Sequence, residues 1–277
     1  MRKGRFTFGK VIQYVVLVLV FILLAGPLVW ELALSLKGPG DNVYAMPPYL
    51  IPKTPTLDNY ISALKRVPML HYFGNTMIVV VMSVLGNVIG STMAGYAFGC
   101  LRFRFREVGY ALFVLAILAP MEGTLISNFM TIKNLGLINT LFAVILPGII
   151  GPLNVVLMTN AFKSVPYELV ESSKVDGANL WQRFIHICVP QVKGTMTVIG
   201  ILSFVGSYND FLWPLIVLND DSKYTLTLGL SRLQGTFYTD PRLVAAGACI
   251  SLIPIVIFFA LFQKFLFQGL QEGGLKG

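Results

Sequence analysis

Few residues in this chain could do chemistry, and most of them stand alone. Asp210 and Glu122 are single acids inside long apolar stretches, residues 194–219 and 108–132. An ionisable group in such a segment is costly, so each is expected to face an interior cavity or a partner. Tyr208, Asn209 and Trp213 flank Asp210. Together they offer hydroxyl-binding groups beside aromatic faces, the mixture a sugar would want. The same groups could instead hold helices together by hydrogen bonds. Glu122, near Pro120 and Gly123, could line a cavity or mark a kink. His71 and His186 are isolated, and Cys100, Cys188 and Cys249 make no C-x-x-C pair. That leaves no metal constellation, no disulfide framework and no nucleophile–base pattern. The cysteines read as small apolar fillers. No G-x-x-x-x-G-K-[ST] phosphate loop occurs, so the chain has no such route to nucleotide.

The elements that must position these residues follow from composition. Of 277 residues, 55% are apolar and 12% charged, with a mean hydropathy of +0.73. A soluble domain carries roughly 25% charged residues, so disordered, collagen-like and ordinary cytosolic enzyme classes are excluded. Uncharged runs extend for 20 residues from Val11 to Trp30 and for 35 from Val67 to Leu101. A helix crossing the hydrocarbon needs about 20 apolar residues, and alternating barrel strands are absent. The pattern predicts an all-α membrane protein, a single domain over 1–277. Six transmembrane helices are expected near 11–34, 73–100, 108–129, 137–161, 194–218 and 243–267. The first is too long for a signal-peptide core and reads as a retained anchor.

Thirteen of the 21 basic residues fall on the side that holds the N-terminus, among them Arg2, Lys3, Arg5, Lys10, Arg102, Arg104, Arg106 and Lys163. Basic residues stay inside, so both termini are expected to be cytoplasmic. The whole +8 net charge then lies on that face, which removes any need for a nucleic-acid partner. The run Arg102-Phe103-Arg104-Phe105-Arg106 reads as an inner-face anchor, with arginines at headgroups and phenylalanines in lipid. An ATPase contact is the other reading.

Three connections are long. Residues 35–72 are external and proline-rich. Leu57, Tyr60, Ile61 and Leu64 follow Thr56, a plausible cap, and predict a short amphipathic helix. Residues 220–242 read as a polar external rim. Residues 163–192 form a charged cytoplasmic loop, with Pro166 opening a helix, Ser164 as its cap and Glu168 in the first turn. Gly177 breaks that helix. Leu180, Trp181, Phe184, Ile187 and Cys188 then keep helical spacing up to Pro190. Such a helix–glycine–helix elbow with an apolar stripe suits a groove on a partner.

Within it, Glu171-Ser172-Ser173-Lys174-Val175-Asp176-Gly177-Ala178, followed by Phe184, Ile187 and Pro190, resembles the E-A-A-x-x-x-G signature of permease subunits of bacterial ABC importers. Thr56-Leu57-Asp58-Asn59-Tyr60, Asn75-Thr76 and Tyr208-Asn209-Asp210-Phe211-Leu212-Trp213-Pro214 resemble segments of carbohydrate-type permeases. The ending Gly273-Gly274-Leu275-Lys276-Gly277 is similar to the tail of the second permease of maltose-type systems. Ser172 and Ser173 depart from the usual alanines; serine can bond back to a carbonyl one turn earlier.

The resemblance implies the type I ABC importer permease fold and a chain in the inner membrane that performs no covalent chemistry. It implies a second permease, two ATPase subunits that bind ATP and Mg, an external solute-binding protein and a sugar substrate. Glu171, Ser172, Ser173, Asp176, Gly177, Ala178, Phe184 and Pro190 would couple to an ATPase. The tail, Gly274 to Gly277, would reach between the ATPases. ATP would draw the motors together and rock the membrane helices from inward- to outward-facing. The rivals are a secondary transporter with Glu122 or Asp210 as its ion site and a membrane-embedded enzyme.

Overall fold

The computed structural model describes residues 8–235 and 239–274, and among these the regular secondary structure is helical apart from one isolated bridge, Lys37 to Pro55. In chain order, the first helices are α1 (Phe8–Ser35), α2 (Asp58–Arg66), α3 (Met69–Cys100), α4 (Arg106–Leu118), α5 (Met121–Asn134), α6 (Leu141–Ile145) and α7 (Pro152–Lys163). They continue as α8 (Tyr167–Val175), α9 (Leu180–Gln182), α10 (Val189–Gln191), α11 (Lys193–Asn209), α12 (Leu212–Val217), α13 (Leu226–Leu230) and α14 (Pro241–Gly274). A π-helical turn, Arg183–Cys188, joins α9 to α10.

The chain is an all-α membrane protein. Three spans are uninterrupted, carried by α1, α3 and α14. The other three expected spans are not single helices. The segment 108–129 breaks between α4 and α5, where Ala119 is extended ahead of Pro120. Proline disfavours the helical region for the residue before it. The segment 137–161 is α6 and α7 bent by 43° about Gly148–Gly151, with Pro152 opening α7. The segment 194–218 divides at Asp210–Phe211 into α11 and α12, and α11 meets the helical run before it at 77°.

By contact the chain forms two compact units, one of residues 1–69 and 230–256, the other of 70–229 and 257–277. In the first, the segment after α1 is stapled by Asp41. Its carboxylate accepts hydrogen bonds from the Lys53 N–H (2.9 Å), the Thr54 N–H and hydroxyl (3.2 and 2.9 Å), the Gly38 N–H (3.1 Å) and the Tyr49 hydroxyl (3.1 Å). Burial opposes ionisation of Asp41, but these donors outweigh it and hold the carboxyl far below the usual range. Ahead of α2, Thr56 Oγ1 accepts the Asp58 N–H (3.1 Å), but Leu57 rather than Thr56 holds the cap position. Tyr60 and Ala63 turn inward, while Leu57, Ile61 and Leu64 are exposed.

In the second unit, α3 runs close to the α7 segment. A β-carbon on Gly95 would lie 2.6 Å from Met158, and one on Gly99 would lie 2.7 Å from Phe162. Small residues allow this backbone approach. The connection expected to be a polar rim instead buries Thr225, Leu226 and Leu228, because α13 folds inward. Thr76 Oγ1 accepts the Leu226 N–H (2.7 Å), and Asn75 donates to the Ser222 and Tyr224 carbonyls (3.0 and 2.9 Å).

Candidate functional site

The elbow is made by local chemistry at two adjacent positions. Gly177 has φ +79°, the left-handed region that glycine enters without penalty. Its N–H donates to the Lys174 carbonyl (3.1 Å), and the Ala178 N–H donates to the Ser173 carbonyl (2.9 Å). That pair of bonds is a Schellman closure of α8. Two residues later Asn179 opens the next helix with a capping box: its Oδ1 accepts the Gln182 N–H (2.9 Å), and Gln182 Oε1 accepts the Asn179 N–H (2.8 Å). Ser164, expected to cap α8, instead donates back to the Ala161 carbonyl (2.8 Å) and finishes α7; Pro166 occupies the cap position.

The coupling candidates divide by direction. Glu171, Ser172, Asp176 and Gly177 are exposed, and Val175 beside them is 88% exposed. Glu171 is oriented within α8: it accepts the Tyr167 hydroxyl (2.5 Å) and lies 4.0 Å from the Lys174 ammonium. That hydrogen bond and the carboxylate's charge push the Tyr167 phenol up, with the charge of Arg102 pulling the other way. Ser172 and Ser173 donate back to the Leu169 and Val170 carbonyls (3.2 and 2.7 Å), which consumes their hydroxyls.

Phe184 and Cys188 turn inward and join Tyr96, Met158, Phe162, Val192 and Ile199 in one core cluster. The Phe184 ring lies 4.9 Å from that of Tyr96. Trp181 remains mostly exposed, its ring edge-on to Phe184 at 5.9 Å. Ala178 is half-buried and Pro190 exposed. One face of the elbow is therefore anchored in its own bundle, and the other presents Val175, Leu180, Trp181 and the two acids.

The pathway candidates surround the break between α11 and α12. Asp210 is half-buried; its Oδ1 accepts the Trp213 N–H (3.3 Å), and its carbonyl accepts the Thr227 hydroxyl (2.7 Å). Trp213 is buried, with its indole N–H donated to the Ala143 carbonyl (2.9 Å). Tyr208 is buried in a stack with Phe204 (5.7 Å), and Phe204 stacks on Phe258 (3.5 Å). Asn209 is exposed and bonds back to the Val205 carbonyl (2.9 Å). Glu122 falls in the first turn of α5, and its side chain lies outside the described residues. Gly274 closes α14, and the rest of the tail, Leu275 to Gly277, is outside them too.

Asn87 was not singled out from sequence. Deep in α3, it clamps the bend at Gly148–Gly151: its Nδ2 donates to the Gly148 carbonyl (2.8 Å), and its Oδ1 accepts the Gly151 N–H and Asn154 Nδ2 (both 2.7 Å). The one signal was an amide in an uncharged run.

Three comparisons place this architecture among known proteins. Residues 4–272 match the model of the family described as binding-protein-dependent transport system inner membrane component. The chain is 32% identical to the arabinooligosaccharides transport system permease protein AraQ of Halalkalibacterium halodurans, over 82% of this chain and 81% of that protein. It is also 32% identical to the galactooligosaccharides transport system permease protein GanQ of Bacillus subtilis, over 96% of this chain and 95% of that one. The crystal structure of a bacterial ABC transporter involved in the import of the acidic polysaccharide alginate superposes with a TM-score of 0.83 at 20% identity, over 95% of this chain and 99% of its counterpart. With residues 4–272 covered by that match, the protein belongs to the binding-protein-dependent transport system inner membrane component family.

Proposed function

We propose that this chain is one of two permeases in an ATP-driven importer of sugars or oligosaccharides, with both termini in the cytoplasm. It works with a second permease, two ATPase subunits that bind ATP and Mg, and an external solute-binding protein. The observation that carries this reading is the elbow, closed by two backbone bonds at Gly177 and reopened at once by the Asn179 box. A turn so closely constrained resists bending, and its inner face is keyed into the core through Phe184 and Cys188. Force applied by an ATPase to Glu171, Asp176, Gly177 and the exposed Trp181 then passes to α11 as a rigid displacement. Ser172 and Ser173 keep α8 slim, Ala178 allows close approach, and Pro190 sits within α10 just before the bend into α11. The tail from Gly274 to Gly277 adds a second contact with the ATPases.

The sugar reading draws on the oligosaccharide systems named for the relatives. Asn209 and Asp210 supply the polar groups at a break in a membrane helix, where irregular backbone is tolerated beside a cavity. Tyr208 and Trp213 shape its wall, and Glu122 stands at the α4–α5 break. Uptake of labelled oligosaccharide into proteoliposomes holding the full assembly is expected to require enclosed ATP and to survive collapse of proton and sodium gradients. Uptake driven by either gradient without ATP would overturn the proposal.

A further inference from the structure

The link between α3 and α4 gathers positive charge and exposed aromatic surface that the transport reading does not use. Residues Arg102, Phe103, Phe105, Arg106, Glu107 and Val108 line a shallow cavity of about 350 Å³. Arg106 is already engaged: its Nη1 donates to the Leu101 carbonyl (3.3 Å), and its Nε donates to Glu107 (3.0 Å), which also receives Nη2. That pairing holds the Glu107 carboxyl below its usual range, so it stays ionised and committed to Arg106. Arg102 and Arg104 are exposed and have no carboxylate partner among the described residues. The Arg104 guanidinium rests 4.9 Å from the Phe105 ring centre, and the Lys163 ammonium sits nearby, 4.6 Å from the Tyr110 ring. Phe103 and Phe105 are 47% and 68% exposed.

Water would not favour two such exposed phenylalanines beside arginines that lack a carboxylate. A membrane interface favours both, because acyl chains take the rings and headgroup phosphates take the planar, multi-donor guanidinium groups. We propose that residues 102–108 form a headgroup site for an anionic phospholipid, with its phosphate held by Arg102 and Arg104 and Phe103 and Phe105 seated among the acyl chains. The site lies close enough to the elbow for the charge of Arg102 to act on Tyr167, the donor to Glu171. Lipid bound there neutralises a charge beside the coupling helix. The proposal requires only that this link lie at the membrane interface, and it stands or falls independently of the transported substrate.

The test is native mass spectrometry of the full chain in detergent, titrated separately with phosphatidylglycerol and phosphatidylcholine. Phosphatidylglycerol is expected to be retained selectively. R102Q/R104Q should reduce that retention by about tenfold or more without changing phosphatidylcholine binding, and R102K/R104K, which keeps the charge but not the planar fork, should fall between wild type and the glutamine variant. If the double variant does not insert, R104Q alone is read in the same way and should show a clear partial loss. Equal retention of both lipids, or selectivity that survives the glutamine variants, overturns the site. Displacement by millimolar inorganic phosphate overturns it in favour of a free-phosphate site. Unchanged lipid binding with loss of a co-purifying ATPase overturns it in favour of a protein contact.

Discussion

The elbow and the bend at Gly148–Gly151 both interrupt helices, but they satisfy the freed backbone groups in different ways. At the elbow every bond that closes the turn lies within a few residues: Gly177 to Lys174, Ala178 to Ser173, and Asn179 with Gln182. At the bend the carbonyl of Gly148 and the N–H of Gly151 are both met by Asn87, more than 60 residues earlier in the chain. The difference follows from the surroundings. A turn exposed to water needs only local caps, since water serves the remaining groups. In hydrocarbon each orphaned group costs several kcal/mol, so a break must be closed by protein from elsewhere. The break at Asp210 follows the same rule, with Thr227 donating to its carbonyl.

The largest expected effect comes from removing the long-range clamp. Asn87→Leu keeps the branched shape but leaves the Gly148 carbonyl, the Gly151 N–H and the Asn154 amide short of a partner. At about 1–3 kcal/mol for each buried orphan, the loss should be about 3 kcal/mol or more. Thermal melting of the purified chain should fall well below wild type. An unchanged melting curve would mean that the bend is not held by this side chain.

Removing the local cap should do much less. Asn179→Ala breaks the capping box and is expected to cost about 1 kcal/mol, felt mainly by the first turn after the elbow. Hydrogen exchange should speed up at residues 180–184 while the global melt barely moves. A global effect as large as that of Asn87→Leu would erase the distinction between the two breaks.

The same distinction explains what the sequence made legible. Gly177 and its flanking acids could be read because their consequences are local. Even there, Ser164 looks like the cap of α8 although Pro166 occupies that position, and the N-x-x-Q spacing of Asn179 and Gln182 is the only sign of their capping box. The three uninterrupted spans followed from the length of the apolar runs, and the bent pairs bring the count to as many as six. The breaks in those pairs did not follow, because Asn87 and Gly151 carry no local sign that they meet. Residue type also said little about direction. Trp213 looks like a sugar platform in the sequence, yet its indole N–H is committed to Ala143. Phe184 belongs to the apolar stripe offered to a partner, yet packs into its own core. Orientation of this kind depends on which helix lies opposite.

The most direct measurement of the central claim is ATPase retention by elbow variants of the intact assembly. Gly177 has room for a side chain but a backbone conformation that β-branched residues resist. Gly177→Val should therefore leave membrane insertion and melting intact while the ATPase subunits are lost and uptake falls at least about tenfold. Gly177→Asn, which tolerates the left-handed region, should retain most of both. Full retention of the ATPase and normal uptake in Gly177→Val would contradict the assignment of this turn as the point where the motor grips the permease.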